Sequence, residues 1–247
     1  MNITWQKLLM MYYILVCRIL KREVNTLAVN GLWEDGYKNI KQLWGVEPDL
    51  KLIQYFDLIK KGYVLDLGIG EGRNALPFAI SGFNIEGVDI SETALNQCKE
   101  EFEKINININ LTCSDLRNYN INKNNYTLII ASNVLNFFKK EEIEIIIQNM
   151  KAGLKEEGII YLSVFSTLDP KFHTLQATFE SVEENTFYVK NRETYIHYFT
   201  KEEITGYFSD FEIISVIESF EYDDSHGSPH YHGGIELMVR KKKCIDL

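Results

Sequence analysis

The feature that most constrains the fold is a glycine-rich turn in the stretch YVLDLGIGEGRNA, from Tyr63 to Ala75. Its apolar residues predict a short strand that carries Asp66 near its end, and the glycines after it predict a tight turn. The helix predicted to follow presents free N–H groups and the positive end of its dipole to this turn. The stretch therefore favours an α/β protein that binds its ligand at the turn.

Strand-like and helix-like stretches alternate at short spacing along the chain, which is typical of a parallel sheet covered by helices on both faces. The last two strands have no helix between them and are expected to pair as an antiparallel hairpin. No clear period is present in residues 166–199. The predicted strands cover residues 63–67, 84–88, 107–112, 126–131, 158–164, 211–218 and 235–240, and the predicted helices cover residues 48–61, 73–81, 92–104 and 139–153, with a further short helix capped by Thr200.

Polar side chains end four successive predicted strands. Asp66, Asp89 and Asp115 end the first three, and Ser132 and Asn133 end the fourth. Because the carboxyl ends of parallel strands meet at one edge of a sheet, these residues are expected to line one ligand site. A carboxylate at Asp89 suits the two hydroxyls of a ribose, and Asp115 is placed to accept from the amino group of adenine.

A nicotinamide-binding Rossmann domain is the main alternative for such a site. Its fingerprint is GxGxxG after an all-apolar strand, whereas here GIGEGR places Gly72 one residue early and Asp66 stands within the strand. A carboxylate suits a ligand that carries an ammonium group and repels a pyrophosphate. These residues therefore predict a nucleoside with an amino-acid end and no phosphate, which is S-adenosylmethionine.

The stretch from Val64 to Ser91 resembles the nucleotide-binding segment of class I S-adenosylmethionine-dependent methyltransferases. Its GEGRNA continuation is especially similar to the tellurite-resistance methyltransferase family and, more distantly, to the thiopurine methyltransferases. The resemblance covers residues 30–165, and HYFTKEEITGYFSDFEIISV from His197 also resembles that family's late helix and strand. It implies a Rossmann-like, doubly wound sheet of seven strands in the order 3-2-1-4-5-7-6, with the last strand antiparallel.

The resemblance also implies the residues that bind the cofactor. Gly68, Gly70 and Arg73 are expected around its methionine end, and Leu116 is expected beside Asp115 at the adenine. An aromatic segment ahead of the first strand is expected to fold over the cofactor. The full predicted set is Trp33, Tyr37, Trp44, Asp66, Gly68, Gly70, Arg73, Asp89, Ile90, Asp115, Leu116, Ser132 and Asn133.

The domain prediction separates an N-terminal extension from the sheet. Residues 1–29 are predicted to be a helical extension, because the apolar run Leu8–Cys17 is shorter than the roughly 20 residues that a membrane span requires. A helix lying at a membrane interface is the alternative for this run. Residues 30–247 are predicted to form a single methyltransferase domain, in which residues 30–47 act as a lid.

The charge and cysteine content of the chain limit the kinds of partner and the cellular compartment that are expected. A net charge of −9 disfavours the polyanionic backbone of nucleic acids, so a small-molecule acceptor is expected. A soft acceptor such as a thiolate, a selenide or a metalloid oxyanion needs little help from a base, whereas an oxygen or nitrogen acceptor often needs a base or a metal.

The four cysteines are scattered, with no CxxC pair, which predicts reduced thiols in a cytoplasmic protein.

Three of the five histidines, His226, His230 and His232, lie in DDSHGSPHYHGG, between the last two predicted strands. In the implied fold, this connection emerges at the cofactor edge of the sheet. Three interpretations stay open: a Zn²⁺, Fe²⁺ or Ni²⁺ site, an acid–base or acceptor-binding role without metal, and a hairpin stabilised by hydrogen bonds.

The function predicted from these features is methyl transfer from S-adenosylmethionine to a small molecule. One alternative is a metal-assisted O- or N-methyltransferase that uses the three histidines. The other is a non-catalytic module that binds S-adenosylmethionine.

Overall fold

The computed structural model describes residues 33–190, 193–223 and 230–243, so the predicted extension at residues 1–29 lies outside the described residues. No helix within these ranges combines the length and apolarity needed to cross a bilayer. The helices are α1 (Trp33–Asn39), α2 (Leu50–Gln54), α3 (Leu76–Ile80), α4 (Glu92–Glu103), α5 (Lys140–Gly153), α6 (Pro170–Thr178) and α7 (Lys201–Gly206), with 3-10 helices at Phe56–Leu58 and Leu135–Phe137. The strands are β1 (Tyr63–Leu67), β2 (Asn84–Asp89), β3 (Asn110–Cys113), β4 (Tyr126–Ser132), β5 (Leu154–Phe165), β6 (Ser181–Glu183), β7 (Thr186–Val189), β8 (Thr194–His197), β9 (Glu212–Asp223) and β10 (His230–Arg240).

The described residues form a seven-stranded sheet in the order β3-β2-β1-β4-β5-β10-β9. Strands β1 to β5 pair in parallel. Strand β10 is antiparallel to both of its neighbours, β5 and β9. Numbered within this sheet alone, the order is 3-2-1-4-5-7-6 with the last strand antiparallel, which confirms the predicted Rossmann-like fold.

Two apolar cores cover the two faces of this sheet. Ile129 of β4 and Leu162 of β5 face the core that contains α5 and α7, whereas Leu128 and Tyr161 face the core that contains α2, α3 and α4. All four side chains are at most 1 % exposed. A strand buried on both faces needs apolar residues at every position, which is why β4 is a continuous apolar run with no alternation.

Three predicted elements are clearly shorter in the structure than expected. The helix predicted over residues 73–81 covers Leu76–Ile80. The strand predicted to begin at Ile107 begins at Asn110, because α4 ends in a turn whose Asn106 has a left-handed φ of 58°. The helix predicted to reach Lys61 ends at Gln54, and a separate 3-10 helix follows it.

The segment without sequence period, residues 166–199, contains α6 and a second sheet, whose strands within the described ranges lie in the order β6-β7-β8. Phe172, Phe187 and Tyr198 belong to its small apolar core. The prediction missed this sheet because strands of three or four residues are too short for alternation to be detected. We call residues 166–199, which lie between β5 and α7, the insertion.

The end of β9 and the start of β10, which the hairpin connection joins, lie at the carboxyl edge of the parallel strands, as predicted. Gly234 pairs with Phe165, the last residue of β5, so residues 230–233 extend beyond the end of β5. The backbone N–H of Gly233 donates to the carboxylate of Asp169 at 3.1 Å. A Cβ on Gly233 would stand only 2.3 Å from the backbone nitrogen of Asp169, so this close approach requires glycine.

Substituting Gly233→Ala is expected to lower the free energy of unfolding by about 1–3 kcal/mol, because a clash with backbone cannot be relieved by a rotamer change. Urea unfolding followed by circular dichroism measures the effect. Gly206→Ala is the control, since a Cβ there meets no atom within 4 Å. Equal midpoints for wild type and Gly233→Ala would contradict the packing described.

Candidate cofactor and acceptor site

The turn after β1 is a loop of glycines in the left-handed region. Gly68, Gly70 and Gly72 have φ values of 72°, 54° and 87°. The N–H groups of Gly68 and Ile69 both donate to the carbonyl of Val88 in β2, at 2.8 and 3.0 Å. Residues with a Cβ are strained at such φ angles, so this loop, tied to β2, depends on its glycines.

Asp89 ends β2 directly beside the loop. Its two carboxylate oxygens accept the backbone N–H groups of Gly70 and Ser91, each at 2.9 Å. Burial raises the pKa of Asp89, and these N–H groups oppose the rise. A carboxylate has about four acceptor positions, so about two remain for other donors, and a pair of ribose hydroxyls would fit them.

Asp115 follows β3 and is held by Arg117, which folds back onto it. Arg117 donates to the carboxylate through its backbone N–H at 2.9 Å and through Nε at 2.9 and 3.0 Å. The hydrogen bonds of the Arg117 side chain lower the pKa of Asp115. Leu116 is 9 % exposed, and Ile90, beyond Asp89, is 53 % exposed. Arg117 is not among the predicted site residues. The only feature of the sequence that indicates its contact with Asp115 is its opposite charge two residues further along the chain.

A partly buried ion pair between Arg73 and Asp49 lies at the other end of the loop. The Nη1 atom of Arg73 is 2.6 Å from Asp49 Oδ1 and donates to the carbonyl of Glu47 at 2.9 Å. Asp49 Oδ2 accepts from the hydroxyls of Ser132 at 2.7 Å and Tyr161 at 3.3 Å. Burial by itself would raise the pKa of Asp49, but Arg73 and the hydrogen bonds outweigh it and lower the pKa. Sequence reasoning missed Asp49.

Asp66, on β1, is 3 % exposed. Burial raises its pKa well above the usual range, and the negative charges of Asp49 and Asp89 raise it further, although Arg73 opposes them. An ammonium group placed against it would favour the charged form, which is the role predicted for this residue.

Residues 33–49, which we call the covering segment, lie against the glycine loop. Tyr37 is buried, and its hydroxyl stands 2.7 Å from the position that a Cβ of Gly70 would take. The indole N–H of Trp44 donates to this hydroxyl at 3.2 Å. Glu71 of the loop accepts two backbone N–H groups of the segment, at 2.7 and 2.9 Å. Tyr37 and Trp44 are thus brought to the loop together.

Glu34 fastens α1 to the first turn of α4. Its carboxylate accepts from the hydroxyls of Ser91 at 2.6 Å and Thr93 at 2.5 Å, and from the backbone N–H of Thr93 at 3.2 Å. The hydrogen bonds from Ser91 and Thr93 lower the pKa of Glu34 to about 2. A negative charge is also favoured at this end of a helix. Glu34 was not predicted, because its partners lie far along the chain.

The end of β4 carries Ser132 and Asn133, as the strand prediction placed them. The hydroxyl of Ser132 donates to Asp49, while the side-chain oxygen of Asn133 accepts from the hydroxyl of Ser163 at 3.1 Å. Asn133 itself has a left-handed φ of 54° and turns the chain away from the strand.

His232 extends past the end of β5, and its Nδ1 lies 3.2 Å from the carboxylate of Asp169, the N-cap of α6. Burial would raise the pKa of Asp169, but hydrogen bonds from His232 and two backbone N–H groups lower it. His226 and the side chain of His230 lie outside the described part of the chain. Among the side chains that are described, no three His, Cys, Asp or Glu residues are grouped as a metal site requires. The metal site at His226, His230 and His232 stays a prediction.

Comparisons with known proteins identify the family of the chain. The family model of the tellurite resistance protein TehB matches residues 41–204. The chain belongs to the TehB family. The probable S-adenosyl-L-methionine-dependent methyltransferase TehB of Haemophilus influenzae is 35% identical over 107 residues, which are 43% of this chain and 37% of that protein. A ubiquinone biosynthesis O-methyltransferase of Coxiella burnetii is 28% identical over 141 residues, 57% of this chain and 58% of that protein. The matches thus span less than two thirds of the length of these curated relatives.

Solved structures show the same fold. The crystal structure of TehB from Haemophilus influenzae matches with a TM-score of 0.61 and 24% identity, over 78% of this chain and 62% of that one. A structure of an S-adenosylmethionine-dependent methyltransferase from Methanosarcina mazei matches with a TM-score of 0.66 and 16% identity, over 79% of this chain and 99% of that one. The sheet of the TehB family member described here is therefore that of the Rossmann-like methyltransferases.

Substituting Glu34→Gln is expected to destabilise the protein most above about pH 4.5 and progressively less as the pH falls toward 2. The reason is that the folded-state pKa of Glu34 is about 2 against an ordinary value of 4.5, so its stabilising effect is lost as the folded carboxylate takes up a proton. Urea midpoints of both proteins between about pH 7 and 3 measure this difference. Glu100→Gln, at an exposed position on α4, is the control. A Glu34→Gln effect that does not change with pH would contradict the assignment.

Proposed function

We propose that the protein is a methyltransferase that uses S-adenosylmethionine and acts on a small molecule. The observation that carries this proposal is the set of side chains around Gly68–Gly72. Asp89 and Asp115 end adjacent strands on one side of the loop, and Arg73 with Asp66 lies on the other. Carboxylates at these positions suit hydroxyl, amino and ammonium groups and would repel a pyrophosphate, as found in nicotinamide cofactors. Membership of the TehB family supports the proposal.

Each end of the cofactor is assigned to a different part of the loop. The nucleoside lies toward β2 and β3, and the amino acid lies toward β4, where Arg73 can take its carboxylate and Asp66 its ammonium. The proposed binding residues are Asp89 for the ribose, Ile90, Asp115 and Leu116 for the adenine, Gly68, Gly70, Asp66, Arg73, Ser132 and Asn133 for the methionine end, and Trp33, Tyr37 and Trp44 as the cover.

When bound, S-adenosylmethionine supplies a methyl group already activated on a sulfonium. The chain therefore has to hold the acceptor in line with this group and keep water out. The covering segment suits the second task, because Tyr37 is buried on the loop and Glu34 and Glu71 fasten the segment at two points. The proposal includes the predicted lid role for residues 30–47.

We further propose that His232 accepts a proton from an oxygen or nitrogen acceptor. Its pairing with Asp169 supports this role, because a carboxylate on Nδ1 fixes the orientation of the imidazole ring. A metal held by the same loop is the alternative, and it would require His226 and His230 as further ligands.

Substituting Asp89→Asn is expected to weaken binding of S-adenosylhomocysteine by about 10- to 100-fold, because charge-assisted hydrogen bonds to two hydroxyls are weakened. Isothermal titration calorimetry measures the affinity, and thermal unfolding checks that the variant is folded. Asp210→Asn, at an exposed carboxylate before β9, is the control. Near-normal affinity of a folded Asp89→Asn would contradict the ribose role, and binding of NAD in place of S-adenosylmethionine would overturn the proposed function.

Substituting His232→Ala is expected to lower kcat for an oxygen or nitrogen acceptor by about 100-fold or more, with little change in affinity for S-adenosylhomocysteine. The release of S-adenosylhomocysteine measures the rate. His173→Ala, at an exposed histidine of α6, is the control. An unchanged kcat would exclude the acid–base role. Stoichiometric metal in the untagged protein that is lost in His230→Ala would establish the metal-assisted alternative.

A further inference from the structure

A row of aromatic rings runs from the covering segment to the insertion. Trp33 lies 6.1 Å from Trp44 and 4.6 Å from Phe137, between ring centroids. Phe137 lies 6.0 Å from Phe165, which lies 5.8 Å from Tyr198. These spacings are those of rings in contact. We call these five residues the aromatic wall.

The wall lies at the carboxyl edge of the sheet, beyond the methionine end of the proposed cofactor site. Phe137 ends the 3-10 helix that follows β4, and Phe165 is the last residue of β5. Asn136, within the same 3-10 helix, is fully buried, and its side-chain oxygen accepts the backbone N–H of Phe165 at 2.8 Å. Ser132, which we propose for the methionine end of the cofactor, ends β4 five residues before Phe137, so the wall adjoins that end of the proposed site.

Four of the five rings are more exposed than the rings of a core, whereas the fifth, Tyr198, is 2 % exposed and belongs to the small apolar core beside the second sheet. Trp44 is 39 % exposed, and Trp33, Phe137 and Phe165 are partly exposed.

By contrast, a second group of rings packs at similar spacing, with centroids 5.1 to 5.8 Å apart. Its members, Phe56, Phe78 and Phe83, are 6 %, 0 % and 8 % exposed, as rings that only fill a core should be. Adjacent apolar rings that remain partly open to solvent at a ligand-binding edge are typical of a small-molecule pocket.

The charges around the wall disfavour an anionic acceptor. Three cations of this region have partners within the protein: Arg73 pairs with Asp49, the ammonium of Lys139 lies 4.7 Å from the ring centroid of Tyr195, and that of Lys140 lies 2.9 Å from Glu184. The neighbouring carboxylates of the cofactor site add negative potential, which favours a sulfonium and repels an oxyanion.

We infer that the acceptor is an uncharged planar aromatic or heteroaromatic compound that stacks on the aromatic wall, and not an inorganic oxyanion. This inference rests on the proposed methyltransferase function. In the reaction, a lone pair on a ring hydroxyl or nitrogen forms the new bond to carbon while the carbon–sulfur bond breaks. Sulfur keeps that electron pair as the neutral thioether of S-adenosylhomocysteine, and the acceptor proton passes to a base or to water.

The test uses the full chain, two of whose three tryptophans, Trp33 and Trp44, belong to the wall and report binding by fluorescence. The protein, saturated with S-adenosylhomocysteine, is titrated with catechol, 3-hydroxypyridine, tellurite and selenite. Saturable quenching by an aromatic probe below about 1 mM, and none by the oxyanions, is expected. Release of S-adenosylhomocysteine in parallel assays with S-adenosylmethionine measures methylation of the same four probes.

Substituting Phe137→Leu is expected to weaken binding of the aromatic probe by about tenfold and to leave the affinity for S-adenosylhomocysteine unchanged. Phe179→Leu, at a phenylalanine that is 41 % exposed outside the wall, is the matched control and should change neither. Methylation of tellurite or selenite in preference to the aromatic probes would overturn the inference, and so would the absence of aromatic binding while S-adenosylhomocysteine binds. Failure of S-adenosylhomocysteine itself to bind would instead reject the proposed function, and titration of the aromatic probes without cofactor would then still test the wall.

Discussion

The partly buried ion pair between Arg73 and Asp49 is the contact on which the arrangement of the site depends. Taking two charges out of water costs several kcal/mol for each ion unless other polar groups replace the lost hydration. Asn74 and Ser132 do so here, donating to Asp49 at 3.2 and 2.7 Å. Because these groups come from the covering segment, the glycine loop and β4, a shift of any one would leave a buried charge poorly paired. The pair thus holds the covering segment at one position over the loop.

A second carboxylate, Asp89, organises the opposite side of the loop. It receives N–H groups from Gly70 in the loop and from Ser91, the N-cap of α4, so one side chain joins strand, turn and helix. Ser91 in turn donates to Glu34 of α1. The covering segment is therefore tied by hydrogen bonds to the same strand end that we propose for ribose binding.

The two halves of the proposed site differ in chemistry because they come from different parts of the fold. The cofactor half is built by the ends of β1, β2 and β3 and is rich in carboxylates. The acceptor half is built by the ends of β4 and β5 together with the insertion, and it is aromatic. His197 joins the insertion to α7, since its Nδ1 lies 2.7 Å from Thr186 and its Nε2 lies 3.3 Å from Glu203. Change in this insertion would alter the acceptor half without disturbing the cofactor half.

The sequence by itself determined the seven strand segments, the glycine turn and the strand-end position of Asp89, because periodicity and turn chemistry act over a few residues, whereas the order of the strands was implied by the family resemblance. Tertiary structure alone brought Asp49 to Ser132, 83 residues away, and Glu34 to Thr93, 59 residues away. The local sequence around Asp49 and Glu34 does not indicate these partners, because such contacts form only once the chain has folded back on itself. The same holds for the aromatic wall, whose rings come from four separate segments and acquire a common surface only in the folded protein.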